Sequence, residues 1–190
     1  MVDGLDGCGK DTHAENIQRL LEAQGERVVV LSHPSRRLFG RLSKRSLEKS
    51  GPGARLFATV FFTADVLVSV RWFKRQASGT AIFVRYLLGT AYLPESLAPI
   101  GYELLRKLLP FPEIAFLIDI EPEVAARRIA ERGDRPEMFE SRRKLTEVRA
   151  VVKSLVANEW VIIDNSEDGE RPFKDVERLL MERLVLRPAV

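Results

Sequence analysis

Three glycines, Gly4, Gly7 and Gly9, stand just ahead of Lys10, Asp11 and Thr12 near the amino terminus. The run Gly4-Leu5-Asp6-Gly7-Cys8-Gly9-Lys10 follows the phosphate-cradling pattern G-x-x-x-x-G-K-[ST] at every fixed position but the last, where Asp11 replaces a hydroxyl residue. Glycines let a backbone curl until successive N–H groups converge on phosphate oxygens. Lys10 adds a charge on a flexible stem, and a helix beginning at the same point turns its positive end toward the anion. The spacing therefore predicts nucleotide binding. It also predicts a strand before the loop and an amphipathic helix after it, because those elements alone would aim the amides outward. Cys8, the chain's one cysteine, reads as a small filler within the loop.

The surrounding composition suits such a site. With 190 residues, 45% hydrophobic and 30% charged, the chain reads as one soluble α/β domain, 1–190. A lone cysteine excludes an internal disulfide and a cysteine-built zinc site. The absence of a basic-then-apolar leader points to the cytoplasm, and the longest apolar run, Leu56 to Val70, is broken by Asp65, so no membrane association is expected. The formal charge of +3 is spread over helices and interleaved with acids, which argues against nucleic acid. The densest cluster, Arg36, Arg37, Arg41, Lys44 and Arg45, is either a solvated helix face or an anion-facing one.

Short β-branched runs alternate with longer helical patterns, which predicts βαβ units and a five-stranded parallel sheet between two helical layers. The expected strands are Met1 to Asp3, Arg27 to Ser32, Ala81 to Val84, Ile114 to Ile120 and Trp160 to Asp164. The second, Val-Val-Val-Leu, should be buried on both faces. Helices are expected over Lys10–Gln24, from Pro34 to Lys49, over Ala54–Gln76, Ser96–Leu109, from Glu121-Pro122-Glu123 through Arg132, and over Glu137–Ala157 and Phe173–Leu186. The helix 54–76 carries a stripe, Leu56, Phe57, Val60, Phe61, Ala64, Leu67 and Val68, expected to face mostly the core, with enough apolar length left for a homodimer contact. Trp72 and Phe73 at its end read as packing, as does His13, and His33 as a filler at a strand tip. Asp119 reads as either a metal-side carboxylate or a capping or structural one. Arg127 and Arg128 have a surface reading too, paired with Glu123, Glu131 or Glu137.

The chain resembles the thymidylate kinase family of nucleoside monophosphate kinases over its whole length. The residues that carry the resemblance are the Gly4–Lys10 loop, Arg85-Tyr86 with Thr90-Ala91-Tyr92, and the segment from Pro112 to Ala125. Further ones are Arg127-Arg128-Ile129, Arg132-Gly133-Asp134-Arg135 with Phe139-Glu140, and Val161-Ile162-Ile163-Asp164. The resemblance implies a P-loop fold with a short arginine-bearing lid over about 132–140. It implies ATP as phosphoryl donor, Mg2+ between the phosphates and dTMP as leading acceptor. By the same resemblance Asp6 lies near the acceptor sugar and phosphate, Lys10 holds phosphate, Arg85 holds the acceptor phosphate, Tyr86 is a further acceptor-binding residue, and Tyr92 flanks the base. Arg127 belongs to the ATP side, and Arg132 and Arg135 are the candidate catalytic arginines, since Gly7 rather than a basic residue follows Asp6.

Four departures mark this chain. Asp11 stands where the family has Ser or Thr, so the magnesium ligand is Asp11 or Thr12. Val84 replaces an Asp, Val66 replaces an Arg expected to help hold the acceptor phosphate, and Ser32-His33-Pro34 replaces Arg-Glu-Pro. Two readings follow: a magnesium- and ATP-dependent kinase for dTMP or another nucleotide or nucleoside, and a nucleotide-binding regulator or partner subunit with weak or no transfer.

Overall fold

The computed structural model describes residues 1–47, 52–76, 78–132 and 141–185. Five strands, β1 (Val2–Gly4), β2 (Val28–Ser32), β3 (Thr80–Val84), β4 (Ala115–Asp119) and β5 (Trp160–Asp164), form one parallel sheet in the order β2-β3-β1-β4-β5. Val2 pairs with Val84 on one side and Phe116 on the other, so three residues of β1 sit between two five-residue strands. The connection leaving β1 travels toward the β2 edge, while the one leaving β4 travels toward β5. A crevice opens beyond the carboxyl ends of strands where connections diverge in this way, and the glycine loop lies there.

The helices are α1 (Lys10–Ala23), α2 (Leu38–Leu47), α3 (Pro52–Lys74), α4 (Ala98–Leu108), α5 (Pro122–Glu131), α6 (Arg142–Leu155) and α7 (Arg171–Val185). The α1 face carrying Ala14, Ile17 and Leu21 is buried, and α1 ends before Gly25 at φ +85. All five residues of β4 are buried, as a central parallel strand requires.

Several expectations need correcting. β2 is an edge strand and its Val28–Leu31 run is only half-buried. The basic helix starts at Leu38 rather than directly after Pro34, because Ser35 is tied by its N–H and hydroxyl to Asp65 at 2.6 and 2.7 Å. On α3 the expected core stripe is partly turned outward: Leu56, Phe57, Val60, Val68 and Trp72 are exposed, while Ala58, Phe62, Val66 and Val70 are buried. The helix is apolar nearly all round, so periodicity alone did not select its buried face. It is also long and apolar enough to cross a membrane by length and composition, the one such helix among the described residues, yet it buries Asp65 and Ser69 among polar partners. A short 3-10 helix at Leu88–Tyr92, with no counterpart in the sequence reading, follows β3.

Candidate functional site

The loop between β1 and α1 is set by backbone that only glycine adopts easily. Gly4 has φ +155, and a Cβ there would lie 2.4 Å from the Ile118 carbonyl oxygen and 2.7 Å from the Cys8 sulfur. Gly9, left-handed at φ +86, turns the chain into α1. The first intrahelical bond, His13 N–H to the Gly9 carbonyl at 3.0 Å, leaves the N–H groups of Lys10, Asp11 and Thr12 without an i−4 partner and directed past the helix end. Cys8 is fully buried, as a filler should be, and burial pushes its thiol up. The Asn165 amide, just past β5, donates to the Cys8 carbonyl at 2.7 Å and clamps the loop from outside. Asn165 was not singled out in the sequence, although its place after a β-strand terminus was a usable signal.

Asp6 is the centre of the charged cluster. Its carboxylate pairs with Arg85, accepts from the Tyr92 hydroxyl at 2.9 Å and lies 3.5 Å from the Lys10 ammonium, which also donates to the Leu5 carbonyl at 3.0 Å. One anion facing two cations leaves the cluster net positive, which suits an incoming phosphate. Arg85 has φ +55, a left-handed conformation uncommon for a residue with a Cβ. The buried Asp3 sustains it. Asp3 Oδ2 accepts the N–H groups of Tyr86, Leu87 and Leu88 at 2.9, 3.1 and 3.0 Å, and Oδ1 accepts the Gly4 N–H at 3.2 Å. A single carboxylate thus ties the start of the glycine loop to the turn that carries Arg85.

Tyr86 does not join this cluster. Its ring is 1% exposed, packs 4.7 Å from Phe83 and donates its hydroxyl to the Pro110 carbonyl, so the expectation of an acceptor contact by this side chain is corrected. Burial raises the pKa of its hydroxyl well above the ordinary tyrosine range. Tyr92, by contrast, lines a cleft with Asp6, Arg85, Phe62, Pro34 and Arg55.

Behind that cleft, His33 is buried against Ser69 at 2.7 Å and Phe83, and burial lowers its pKa. Asp65, buried, holds Ser35 and pairs with Arg37 at 3.3 Å. Val66 is fully buried and Val84 sits in the sheet, so neither presents a polar group to the site. His13 is likewise structural: it stacks on Phe173 at 4.4 Å and burial lowers its pKa to about 4.

Asp11 and Thr12 are exposed in the first turn of α1. Arg127 is more than half exposed, 3.4 Å from Asp168, and Arg128 donates to the Asn165 carbonyl at 3.0 Å and pairs with Asp168 at 2.8 Å. Arg127 also pairs at surface spacing with Glu131 at 3.9 Å, whereas the carboxylate seen beside Arg128 among the described residues is Asp168, beyond β5; Glu137 lies outside the described residues. Arg132 is exposed at the carboxyl end of α5. Arg135, with the remainder of the lid stretch 133–140, lies outside the described residues.

Asp119 resolves to a structural role. Arg149 grips it through two bonds of 2.9 Å, Lys153 lies at 3.1 Å, and Arg149 also reaches Glu121 at 2.7 Å, so β4 is stapled to α6. Burial opposes ionisation of this carboxyl, but the bonds to Arg149 and Lys153 outweigh it and hold the pKa below the ordinary value. A carboxyl whose folded pKa is depressed contributes stability above its unfolded pKa of about 4, and that contribution fades as pH falls through the folded value. Asp119→Asn is expected to lower the urea midpoint at pH 7, with the gap to the parent shrinking progressively as pH is lowered below about 4. A gap that stays constant across that acid range would contradict the ion-pair account.

A family model described as thymidylate kinase matches residues 2–177. Among curated relatives, a "Probable thymidylate kinase" of Archaeoglobus fulgidus is 31% identical over 194 residues, covering 98% of this chain and 96% of the relative. One of the same description from Pyrobaculum aerophilum is 28% identical, covering 94% of each. Among solved structures, the thymidylate kinase of Candida albicans superposes with a TM-score of 0.76 over 96% of this chain and 90% of its own, at 15% identity, a likeness of fold. Loop, sheet order and whole-length similarity agree, and the chain belongs to the thymidylate kinase family.

Proposed function

We propose that this chain transfers the γ-phosphoryl group of ATP to dTMP, giving dTDP and ADP. The observation that carries the reading is the convergence of Asp6, Lys10, Arg85 and Tyr92 at the mouth of the glycine loop, beside a cleft with an aromatic wall. The loop amides and Lys10 hold the donor phosphates, and Arg85 holds the acceptor phosphate so that one of its oxygens faces the γ-phosphorus. The bond to that oxygen forms as the bond to the β,γ-bridging oxygen breaks. Phosphoryl transfer needs little covalent help from the protein, so alignment and cancellation of charge supply most of the rate. Lys10 and Arg85 both rest on Asp6, and phosphates carrying more charge than one carboxylate draw them away. Arg132, exposed at the end of α5, and Arg135 supply positive charge to the transferring group, with Arg127 on the donor side.

Among the described residues no group of three His, Cys, Asp or Glu side chains is gathered for a metal. Mg2+ in phosphoryl transfer keeps waters and phosphate oxygens and needs one or two protein oxygens, so the exposed Asp11 carboxylate, next in the chain to Lys10, fits, and the Thr12 hydroxyl is a second donor. When bound, the ion neutralises charge between the phosphates. Asp11→Ser is expected to raise the magnesium concentration needed for half-maximal rate severalfold while leaving the maximal rate close to that of the parent. A large rise in rate would instead mark Asp11 as an inhibitory charge.

We read the molecule further as one cytoplasmic domain without nucleic-acid or membrane partners, and as a homodimer. Support for the dimer comes from the apolar face that α3 leaves uncovered at Leu56, Phe57, Val60, Val68 and Trp72. The replacement of a carboxylate by Val84 favours one competing reading, a nucleotide-binding regulator. A coupled assay of ADP release with ATP, magnesium and each nucleoside monophosphate or deoxynucleoside separates the two. dTMP is expected to give the highest kcat/KM, and bound ATP without turnover of any acceptor would establish the regulator.

A further inference from the structure

Asn165 stands at the first position past β5 and divides its polar groups among three segments. Its N–H donates to the Asp119 carbonyl at 2.9 Å, which fixes the residue to the end of the sheet. Its carbonyl accepts from Arg128 of α5 at 3.0 Å, and its side-chain amide donates to the Cys8 carbonyl of the glycine loop at 2.7 Å. The residue is 6% exposed and presses on the loop closely enough that a Cβ on Gly9 would lie 2.9 Å from its side-chain nitrogen. The loop also meets α5 directly, since a Cβ on Gly7 would lie 2.7 Å from the Ala125 carbonyl oxygen.

A trans peptide carries its carbonyl and its N–H on opposite edges. Tying the Cys8 carbonyl to Asn165 therefore turns the Gly9 N–H away from Asn165, and among the described residues nothing accepts that N–H. Gly9, at φ +86, has no Cβ to resist rotation of the peptide plane before it, so the backbone of the loop does not lock this orientation by itself. The bond from Asn165 does.

We propose that Asn165 is a positioning residue for the donor phosphates, acting through the Cys8–Gly9 peptide: it presents the Gly9 N–H to a phosphate oxygen and keeps the Cys8 carbonyl off it. The assignment rests on reading the loop as the donor-phosphate site. A flip of this one peptide would set an acceptor where the anion needs a donor, so attraction would be lost and repulsion gained in the same movement. An amide can hold the carbonyl back because it carries N–H donors, whereas an ionised carboxylate of the same shape offers acceptors alone. The sheet end to which Asn165 is bonded supplies the rigid reference for that hold.

The test uses Asn165→Leu, of similar size without the donor, and Asn165→Asp, of the same shape with acceptors only. Binding of magnesium-loaded ATP and of inorganic tripolyphosphate is measured by calorimetry, with circular dichroism to establish that each variant is folded. Both variants should bind the two polyphosphates about tenfold more weakly or worse, the loss of roughly one hydrogen bond to a charged group, with Asn165→Asp the weaker. In steady-state assays the KM for ATP should rise in step while the KM for dTMP stays near that of the parent, a split that general loosening of the fold does not produce. Polyphosphate binding at parental strength in both variants overturns the role of Asn165. A loss confined to Asn165→Asp overturns it too, because an added negative charge then suffices as the cause. A parent that binds ATP without turning over dTMP defeats the kinase reading alone, and the calorimetric comparison still decides the role of Asn165. A parent that binds neither polyphosphate overturns both.

Discussion

Lys10→Ala is expected to reduce turnover by about a thousandfold or more while leaving the fold intact. Lys10 is 4% exposed, and its ammonium is held between the Leu5 carbonyl and Asp6 beside the first-turn amides of α1, which have no i−4 partner. Removing it takes a positive charge from the donor phosphates and also leaves the Asp6 carboxylate less neutralised beside them, so attraction is lost and repulsion gained together. The loss belongs mainly in kcat, because charge on the transferring group is redistributed in the transition state while the amide cradle still binds ground-state ATP. Steady-state assays at saturating ATP and dTMP, with circular dichroism as a control for folding, measure it. Lys10→Met, closer in length, should behave alike. Turnover within a few-fold of the parent in either variant would remove Lys10 from the chemistry and with it the reading of the loop.

The parts of the molecule legible in the sequence are those where local chemistry leaves few alternatives. Three glycines before a lysine define a turn that few other sequences make, and β4 and β5 announce themselves as apolar runs, so the loop and the sheet were placed to within a residue or two. Other features depend on contacts between distant segments. The buried side of α3 is invisible in a helix apolar on nearly every face, and it is chosen by what packs there: Ser35, Arg37 and His33 reach Asp65 and Ser69 from some thirty positions away. Asp119 at a strand tip reads equally as a metal ligand, and only Arg149 and Lys153, brought in by α6, decide the matter. Tyr86 was misplaced for a related reason. It neighbours Arg85 in sequence, but the left-handed turn at Arg85 sends the two side chains to different environments, one into the charged cluster and one into the core.

That turn makes Asp3 the second residue whose removal should have a large effect, on stability and site together. Asp3→Ala strips acceptors from four backbone N–H groups, and those of Tyr86, Leu87 and Leu88 lie where water has little access. Leaving three buried amides unpaired costs on the order of 3–5 kcal/mol after partial relaxation, a large part of the 5–15 kcal/mol typical of a domain. A shift of the urea midpoint registers that loss. The consequence for function follows from geometry, since the same bonds hold the chain after β3 in the conformation that aims Arg85 at Asp6. Whatever fraction stays folded should show a raised KM for dTMP with a smaller change for ATP, because the acceptor cation moves while the glycine loop keeps its clamp from Asn165. Asp3→Asn sharpens the test. Its carbonyl oxygen can still take bonds from the 86–88 amides, but its amino group then faces the Gly4 N–H donor, so it should recover part of the stability and fall short of the parent. Stability and acceptor KM that both stay at parental values in Asp3→Ala would mean that the turn holds itself, and that Arg85 owes its position to its own pairing with Asp6.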